Sequence, residues 1–230
     1  MVILGKNNNE KVVFINLLAH LTNINGERME QSLKEHCFHV AEYASESIGN
    51  ANIYHIVYLA GILHDMGKAK SEFSEYLEAA YQGKEVRRGS VNHTFAGVIW
   101  LLEKYHTKES TKWERLTSEI IGYVIGAHHG MFDCTDLDGN NGFLHRLEKD
   151  KTELCYKETI GSYFQQVVEE STIEDCFCQA MHEVQEFFVT ARDTYGSNGR
   201  GKIYFQISML VRMAWRCASR SVLPIPVGEF

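Results

Sequence analysis

Apolar residues recur at steps of three and four along much of the chain, which is the spacing of one face of an α-helix. The first such pattern begins at Ser32, which forms a capping-box pattern with Glu35. A second pattern follows the interruption at Gly49–Asn52 and ends near Gly67. Their apolar faces consist of Leu33, Cys37, Val40, Ala41 and Ala44, and of Ile53, Ile56, Val57, Ala60 and Leu63. Two consecutive helices are therefore predicted.

The same spacing predicts helices over most of the remaining chain. Their approximate ranges are 71–80, 92–105, 116–127, 143–154, 160–195 with breaks, and 203–219. Loops are predicted at 82–90, 131–142 and 196–201, where glycine and polar residues cluster. Before Ser32 the pattern is limited to an apolar stretch, Val12–Leu21, and a polar turn at Asn23–Gly26. The two prolines lie near the end of the chain, so a mostly helical body without internal helix breakers is expected.

Composition narrows the class of protein. The chain has 230 residues, of which 44% are hydrophobic and 23% charged, as is usual for one globular domain. No apolar run approaches the ~20 residues of a membrane span, so no membrane partner is expected. Six scattered cysteines without zinc-finger spacing favour reduced thiols and a cytoplasmic location. The net charge of −7 argues against a broad basic face for duplex nucleic acid but allows a local groove.

Candidate chemistry lies in an ordered series of histidines at the ends of predicted elements. The series consists of His36, the pair His64-Asp65, His93, and the pair His128-His129. Neutral imidazoles and a carboxylate are ligands for divalent transition metals. One or two ions are expected, with manganese, nickel, cobalt or iron favoured over magnesium, and zinc also possible. The carboxylate of Asp65 has two oxygens and could bridge two ions of the kind that activate water in phosphodiester hydrolysis.

The other six histidines are interpreted as structural, because a lone histidine in a helix is more often a core or surface residue than a ligand. They are His20, His39, His55, His106, His145 and His182.

This series resembles the HD superfamily of metal-dependent phosphohydrolases. Four segments are more closely similar to the HD nuclease of type I CRISPR systems, in a form like that of subtype C. They are QSLKEH (31–36), LAGILHDMGKAKSEFSEYL (59–77), VNHTFAG (91–97) and IGAHHGMFD (125–133). The resemblance implies an all-α fold, a single globular HD-type helical domain over 1–230. Its motif-bearing core would span about 18–147, and its C-terminal helices about 148–221.

The resemblance also implies roles for individual residues. His36, His64 and Asp65 would hold one metal, and His93, His128 and His129 would complete a second, with Asp65 shared. Asp65 and Lys68 would be catalytic residues, Lys68 by meeting a phosphate oxygen or by orienting Asp65. The implied enzyme is a metal-dependent endo- or exodeoxyribonuclease in antiviral defence. It would degrade single-stranded DNA that an RNA-guided surveillance complex exposes and that a helicase portion or subunit delivers.

Two other parts of the chain bear on function but lie outside the four matching segments. The basic loop residues Lys84, Arg87 and Arg88 are candidate DNA contacts, although a solvated loop is the simpler interpretation. The family usually supplies a further carboxylate from a late helix, and Arg220 or Ser221 stands at that position here. Asp193 could replace this carboxylate but lies before the final predicted helix. Because the late carboxylate is missing, we expect one tightly held metal at the histidine-rich position and a second that is weak or absent.

Two rival functions remain open from the sequence. An HD-type phosphodiesterase or nucleotidase acting on a small, for example cyclic, nucleotide would share the histidine series. Cyclic-dinucleotide phosphodiesterases of the superfamily carry a Gly-Tyr-Pro signature after the His-His pair, and none occurs in 130–143. The other rival is a non-catalytic binding module that keeps the metal ligands for stability.

Overall fold

Helices make up most of the computed structural model, which describes residues 16–48, 52–87, 89–129, 142–148, 151, 152, 154–196, 201–203, 205–209, 211 and 212. The elements are β1 (Leu18–Ile24), β2 (Glu27–Ser32), α1 (Leu33–Glu46), α2 (Tyr54–Leu63), a 3₁₀ helix (Met66–Lys68), α3 (Ser71–Tyr81), α4 (Ala96–Tyr105), α5 (Lys112–Gly126), α6 (Gly142–Leu147), α7 (Tyr156–Gln166) and α8 (Glu170–Tyr195). Beyond α8, the described residues between 201 and 212 are helical. The predicted all-α fold class is confirmed, and the domain boundaries stay a prediction.

A small β-hairpin that the sequence did not predict precedes the first helix. Strands β1 and β2 pair antiparallel, and the polar turn expected at Asn23–Gly26 joins them. Asn25 and Gly26 have φ values of 55° and 89°, which a two-residue hairpin turn requires. The hairpin packs on α3, and the Leu33 amide donates to the Leu17 carbonyl over 2.7 Å. This places the hairpin beside the start of α1.

Two helix starts follow capping boxes. The Ser32 hydroxyl accepts from the Glu35 amide over 3.1 Å, and the Glu35 carboxylate accepts from the Ser32 amide over 3.3 Å, as predicted. A second box joins Thr111 to Glu114, so α5 begins at Lys112 rather than near 116. Helix α4 begins at Ala96 rather than at 92, because residues 91–95 form a turn that carries His93.

Helix α2 lies in the core and packs against α1, α5 and α8. Its backbone passes close to that of α1, since a Cβ added to Gly61 would stand 2.4 Å from the Ala41 Cα. Only glycine permits that approach, which sets the spacing between the His36 and His64 side chains.

Carboxylates from the late helices cap the early ones. Glu183 of α8 accepts from the backbone amides of His55 and Ile56 in the first turn of α2, over 2.9 and 3.0 Å. Glu158 of α7 accepts from both the amide and the hydroxyl of Ser71 at the start of α3. These contacts satisfy amides that a helix leaves without partners at its N-terminus. The late helices therefore support the helices that carry the motifs.

The C-terminal part differs from the prediction in its boundaries. Helix α6 ends at Leu147, and the predicted 160–195 region is divided into α7 and α8 by residues 167–169. Of the predicted loop 131–142, residues 131–141 lie outside the described residues and Gly142 begins α6. Residues 213–219 of the last predicted helix also lie outside the described residues. No described helix has both the length and the apolar character that crossing a bilayer requires.

Candidate metal centre

The ends of four structural elements meet at one point, and each contributes members of the histidine series. The side chains come from the first turn of α1 (His36), the residues after α2 (His64 and Asp65), the turn before α4 (His93) and the residues after α5 (His128 and His129). All six residues predicted as metal ligands thus fall within one cluster, in two groups.

Close backbone contact brings the His93 turn to the His-Asp pair. A Cβ added to Gly67, in the 3₁₀ helix that follows Asp65, would lie 1.9 Å from the carbonyl oxygen of His93. Glycine is therefore required at this position for steric reasons. The same contact explains the role of glycine in the HDMGK segment.

The first group consists of His36, His64 and Asp65. Oδ2 of Asp65 lies 3.1 Å from Nε2 of His36 and 2.9 Å from Nε2 of His64. The two Nε2 atoms are 3.1 Å apart. All three residues are buried, so their ligand atoms face one another away from solvent.

The second group consists of His93, His128 and His129. Nε2 of His93 lies 3.0 Å from Nε2 of His129. The other carboxylate oxygen of Asp65, Oδ1, is 4.0 Å from Nε2 of His93 and 3.8 Å from Nε2 of His128. Asp65 therefore lies between the groups, with one oxygen toward each.

Four of the imidazole rings have Nδ1, the nitrogen that does not face the other ligand atoms, close to an oxygen acceptor. Nδ1 of His64, His93 and His128 lies 2.8, 3.1 and 2.6 Å from the carbonyl oxygens of Gly61, Val91 and Ile125, respectively. Nδ1 of His36 lies 3.2 Å from the side-chain oxygen of Gln31. A carbonyl oxygen only accepts, so a neutral ring that donates to it from Nδ1 presents the Nε2 lone pair to the cluster, as a metal ligand must.

The electrostatics favour neutral rings beside an ionised carboxylate. Burial lowers the pKa of both His36 and His93 to about 4, and it lowers the pKa of His128 well below its usual value. Burial alone would raise the pKa of Asp65, but the neighbouring His64 and Lys68 outweigh it and hold the pKa well below its usual range. Near neutral pH these groups are in the protonation states that bind a divalent cation.

Lys68 is buried beside the carboxylate that both groups share. Its Nζ lies 2.8 Å from Oδ2 of Asp65 and donates to the carbonyl oxygen of Ala19 over 3.2 Å. It also stands 5.3 Å from the centre of the Phe73 ring. Lys68 is therefore not a solvated charge, and this geometry favours the orienting role over direct phosphate contact.

The donor set fits a divalent cation by its own geometry. In that tautomer the Nε2 lone pairs of His36 and His64 oppose each other at 3.1 Å. Oδ1 of Asp65 is buried and has no hydrogen-bond partner among the described residues. A buried acceptor without a donor is costly, and a cation would relieve both features. These residues could hold one ion in each group.

Sequence reasoning missed two residues that the hairpin adds to the site. The His20 ring packs edge-on against the His36 ring with 4.8 Å between centroids, and the Gln31 side chain reaches Nδ1 of His36. The structural interpretation of His20 is therefore incomplete. Burial, together with Lys68, lowers its pKa to about 2, so its ring is neutral. The sequence signals the hairpin only through its Asn25-Gly26 turn, and without the paired strands neither residue could be placed near His36.

Other predicted residues lie apart from the cluster. His55 pairs with Glu183 and His106 with Glu119, each over 2.7 Å, in agreement with their structural interpretation. Lys84 and Arg87 are exposed, and no hydrogen bond or ion pair of the described chain joins them to the histidines. Arg88 lies outside the described residues.

The late carboxylate position is not described. Arg220 and Ser221, which stand where the family usually has an acidic ligand, lie outside the described residues. Asp193, the alternative candidate, is exposed near the end of α8 and pairs with its neighbour Arg192 over 3.2 Å. It therefore makes an ion pair of its own at the surface.

Comparison with known families agrees with the cluster. The family model described as "Cas3, HD domain" matches residues 5–220, which is nearly the whole chain. The comparison with curated proteins gave no match. The matched region includes every member of the histidine series, together with the hairpin that precedes it and helices α6, α7 and α8 that follow it. The chain therefore belongs to the Cas3 HD-domain family, the metal-dependent nuclease domain of type I CRISPR defence.

Proposed function

We propose that this protein hydrolyses phosphodiester bonds of single-stranded DNA at the histidine cluster. The observation that carries the proposal is the buried Asp65 carboxylate, which stands between two groups of imidazole nitrogens with one oxygen toward each. Two divalent ions held by such a set activate a water and stabilise the leaving oxygen of a phosphodiester. Membership of the Cas3 HD-domain family supports the same chemistry.

Each group would hold one ion. His36 and His64 would supply nitrogen ligands at the first position, and the three histidines of the second group would do so at the other. Asp65 would contribute Oδ2 to one and Oδ1 to the other. Histidine-rich sites favour manganese, nickel, cobalt, iron or zinc over magnesium, which prefers oxygen ligands.

Lys68 would act through Asp65. Its ammonium group lies within hydrogen-bond distance of Oδ2, so it fixes the rotation of the carboxylate and keeps it ionised. A carboxylate held in this way keeps both oxygens directed at the two groups. The catalytic contribution of Lys68 would then be the orientation of Asp65.

The two positions would differ in affinity. The second has three imidazoles and the shared carboxylate, whereas the first has two imidazoles and the same carboxylate among the described residues. The residues at the family's late acidic position, Arg220 or Ser221, bring no negative charge. Fewer anionic ligands weaken the attraction for a dication. One ion would be held tightly at the second position and another weakly at the first.

The preference for single strands rests on charge. A net charge of −7 disfavours a long basic face of the kind that grips duplex DNA. Lys84, Arg87 and Arg88 form a short basic segment that would contact the backbone of one strand. A helicase partner and an RNA-guided surveillance complex would supply that strand in the cytoplasm, in keeping with the family.

A nuclease assay on metal-stripped protein tests the proposal. Chelation should abolish cleavage of a linear single-stranded oligonucleotide, and Mn²⁺, Co²⁺ or Ni²⁺ should restore it better than Ca²⁺. Asp65→Ala should lose cleavage with its helical circular dichroism retained, whereas His106→Ala, at an exposed ion pair, should behave as wild type. Cleavage that survives exhaustive chelation would contradict the proposal.

The same assay separates the rival functions. Faster hydrolysis of a cyclic dinucleotide than of the oligonucleotide would favour a small-nucleotide phosphodiesterase. Metal binding without hydrolysis of any phosphodiester would favour the non-catalytic binding module. Duplex DNA should be cut poorly if the charge argument holds.

A further inference from the structure

His36 is oriented differently from the other three rings with a described Nδ1 contact. His64 and His128 follow helix ends and use the carbonyls of Gly61 and Ile125, three residues earlier. The last carbonyls of a helix lack intrahelical partners, so they are free to accept. His93 likewise uses the nearby carbonyl of Val91. For these rings the acceptor is supplied by the local backbone.

No such carbonyl is available to His36. It lies in the first turn of α1, where the groups left without partners are amides, while the carbonyls already accept helix hydrogen bonds. An acceptor for Nδ1 must therefore come from another element. Gln31 of β2 supplies it through its side-chain oxygen, 3.2 Å from Nδ1.

The hairpin presents Gln31 to the His36 ring together with His20. His20 and Gln31 are partners in the strand register, and directly opposed residues of antiparallel strands point to the same face. Both contact the His36 ring. On the same strand, the carbonyl of Ala19 accepts from Lys68, which ties the hairpin to Asp65 as well. The hairpin thus reaches the first group through three independent contacts.

We propose that Gln31 is a positioning residue for the first metal position. Its side-chain oxygen holds the proton of His36 on Nδ1 and directs the Nε2 lone pair toward Asp65 and His64. The consequence for metal affinity at the first position rests on the proposed metal centre. The orientation of the His36 ring, by contrast, is a property of the metal-free protein. Partners of this kind change metal affinity by about 10- to 100-fold when they are removed.

Metal affinity tests the consequence. Gln31→Met keeps the length of the side chain and removes the acceptor, whereas Gln31→Glu keeps an acceptor. Calorimetric titration with Mn²⁺ would be made in two backgrounds. His93→Ala combined with His129→Ala disables the second position and leaves the first intact, and His36→Ala weakens the first position and leaves the second intact. Gln31→Met should weaken binding by about tenfold or more in the first background and leave it unchanged in the second. Gln31→Glu should restore or tighten it.

The matched control is Gln82→Met, an exposed glutamine after α3, which should change neither titration. Unchanged affinity of Gln31→Met in the background that lacks His93 and His129 would overturn the proposal, as would an equal loss in both backgrounds. Failure of the wild-type protein to bind Mn²⁺ would instead count against the proposed function.

The tautomer of His36 in metal-free protein tests the positioning role alone. Long-range ¹H–¹⁵N correlation spectra, assigned with His36→Ala, would be recorded in an Asp65→Ala background, which removes the carboxylate that competes for the ring proton from 3.1 Å. In that background the proton should lie on Nδ1 with Gln31 or with Gln31→Glu. In Gln31→Met it should move to Nε2, because Nδ1 has then lost its acceptor. The same tautomer with and without Gln31→Met would refute the role of Gln31, whatever the metal titrations give.

Discussion

Replacing Gly67 with alanine should separate the two groups of metal ligands. The new Cβ would lie 1.9 Å from the carbonyl oxygen of His93 and 2.5 and 2.6 Å from its carbonyl carbon and Cα. All three atoms belong to the backbone, so no side-chain rotation can relieve the overlap. The 3₁₀ helix after Asp65 and the turn that carries His93 must move apart.

The size of this backbone movement determines how much metal affinity is lost. A Cβ essentially never approaches a heavy atom closer than 3.0 Å, so the His93 backbone must shift by about 1 Å or more. Metal sites tolerate deviations of about 0.2 Å in ligand distance, so the second position would lose His93 as a ligand. The first group, with His36 and His64 on α1 and α2, would be disturbed less. Overpacking should also cost about 1–3 kcal/mol of unfolding free energy.

Titration with Mn²⁺ and urea unfolding would measure both effects. Gly67→Ala should weaken the tighter binding step by at least the roughly 10- to 100-fold seen when supporting residues are lost. Gly161→Ala is the matched control, because a Cβ there meets nothing within 4 Å on the exposed side of α7. It should leave metal binding unchanged and raise stability by up to about 1 kcal/mol.

Wild-type metal affinity in Gly67→Ala would refute this reasoning, because it would mean that the His93 turn is not held by the close contact. An equal loss of affinity from Gly161→Ala would also refute it, since the effect could not then come from the overlap with His93.

Three further predictions concern the support of the site. Glu183→Gln should lower the urea-unfolding free energy by about 1–3 kcal/mol, because it weakens a buried cap on α2. Lys68→Met should cost about 3–5 kcal/mol in metal-free protein and less in metal-loaded protein, because the buried charge of Asp65 loses its partner. Metal-free protein should lose stability as pH falls from about 6.5 to about 4, since the folded pKa values of His36 and His93 are depressed to about 4 and unfolding then takes up protons.

Each of these predictions has a contrary outcome. An unchanged urea midpoint for Glu183→Gln would mean that the carboxylate does not cap α2. An equal loss of stability for Lys68→Met with and without metal would mean that Lys68 does not stabilise the protein by compensating the charge of Asp65. A metal-free stability that is flat or rises as the pH falls between about 6.5 and about 4 would contradict neutral buried rings.

The sequence indicated which side chains would lie close together because its signals are local. The capping box at Ser32 and Glu35 fixes the start of α1, and the apolar face of α2 ends where His64-Asp65 begins. Each predicted ligand lies at or beside a helix end, so the helix periodicity was enough to indicate that the side chains could meet. The division into two groups around one carboxylate came from the family resemblance, whereas the distances and the hydrogen-bond partners of each ring needed coordinates.

The hairpin could not be predicted from the same kind of signal. Strand β2, with the sequence ERMEQS, is mostly charged or polar and largely exposed, and it does not alternate between apolar and polar residues. It exists because it pairs with β1 and leads directly into α1. The capping role of Glu183 could not be predicted either, because its partners in α2 lie more than 120 residues earlier in the chain. Contacts between distant segments leave no periodic pattern in a single sequence.

An anomalous-scattering map from crystals grown with Mn²⁺ tests the central claim, that Asp65 is shared by two unequal metal positions. We predict a strong peak within bonding distance of Oδ1 of Asp65 and Nε2 of His93 and His128. A weaker peak should lie within bonding distance of Oδ2 and Nε2 of His36 and His64. Two peaks of equal height would contradict the inequality, and the absence of any peak beside Asp65 would contradict the metal centre itself.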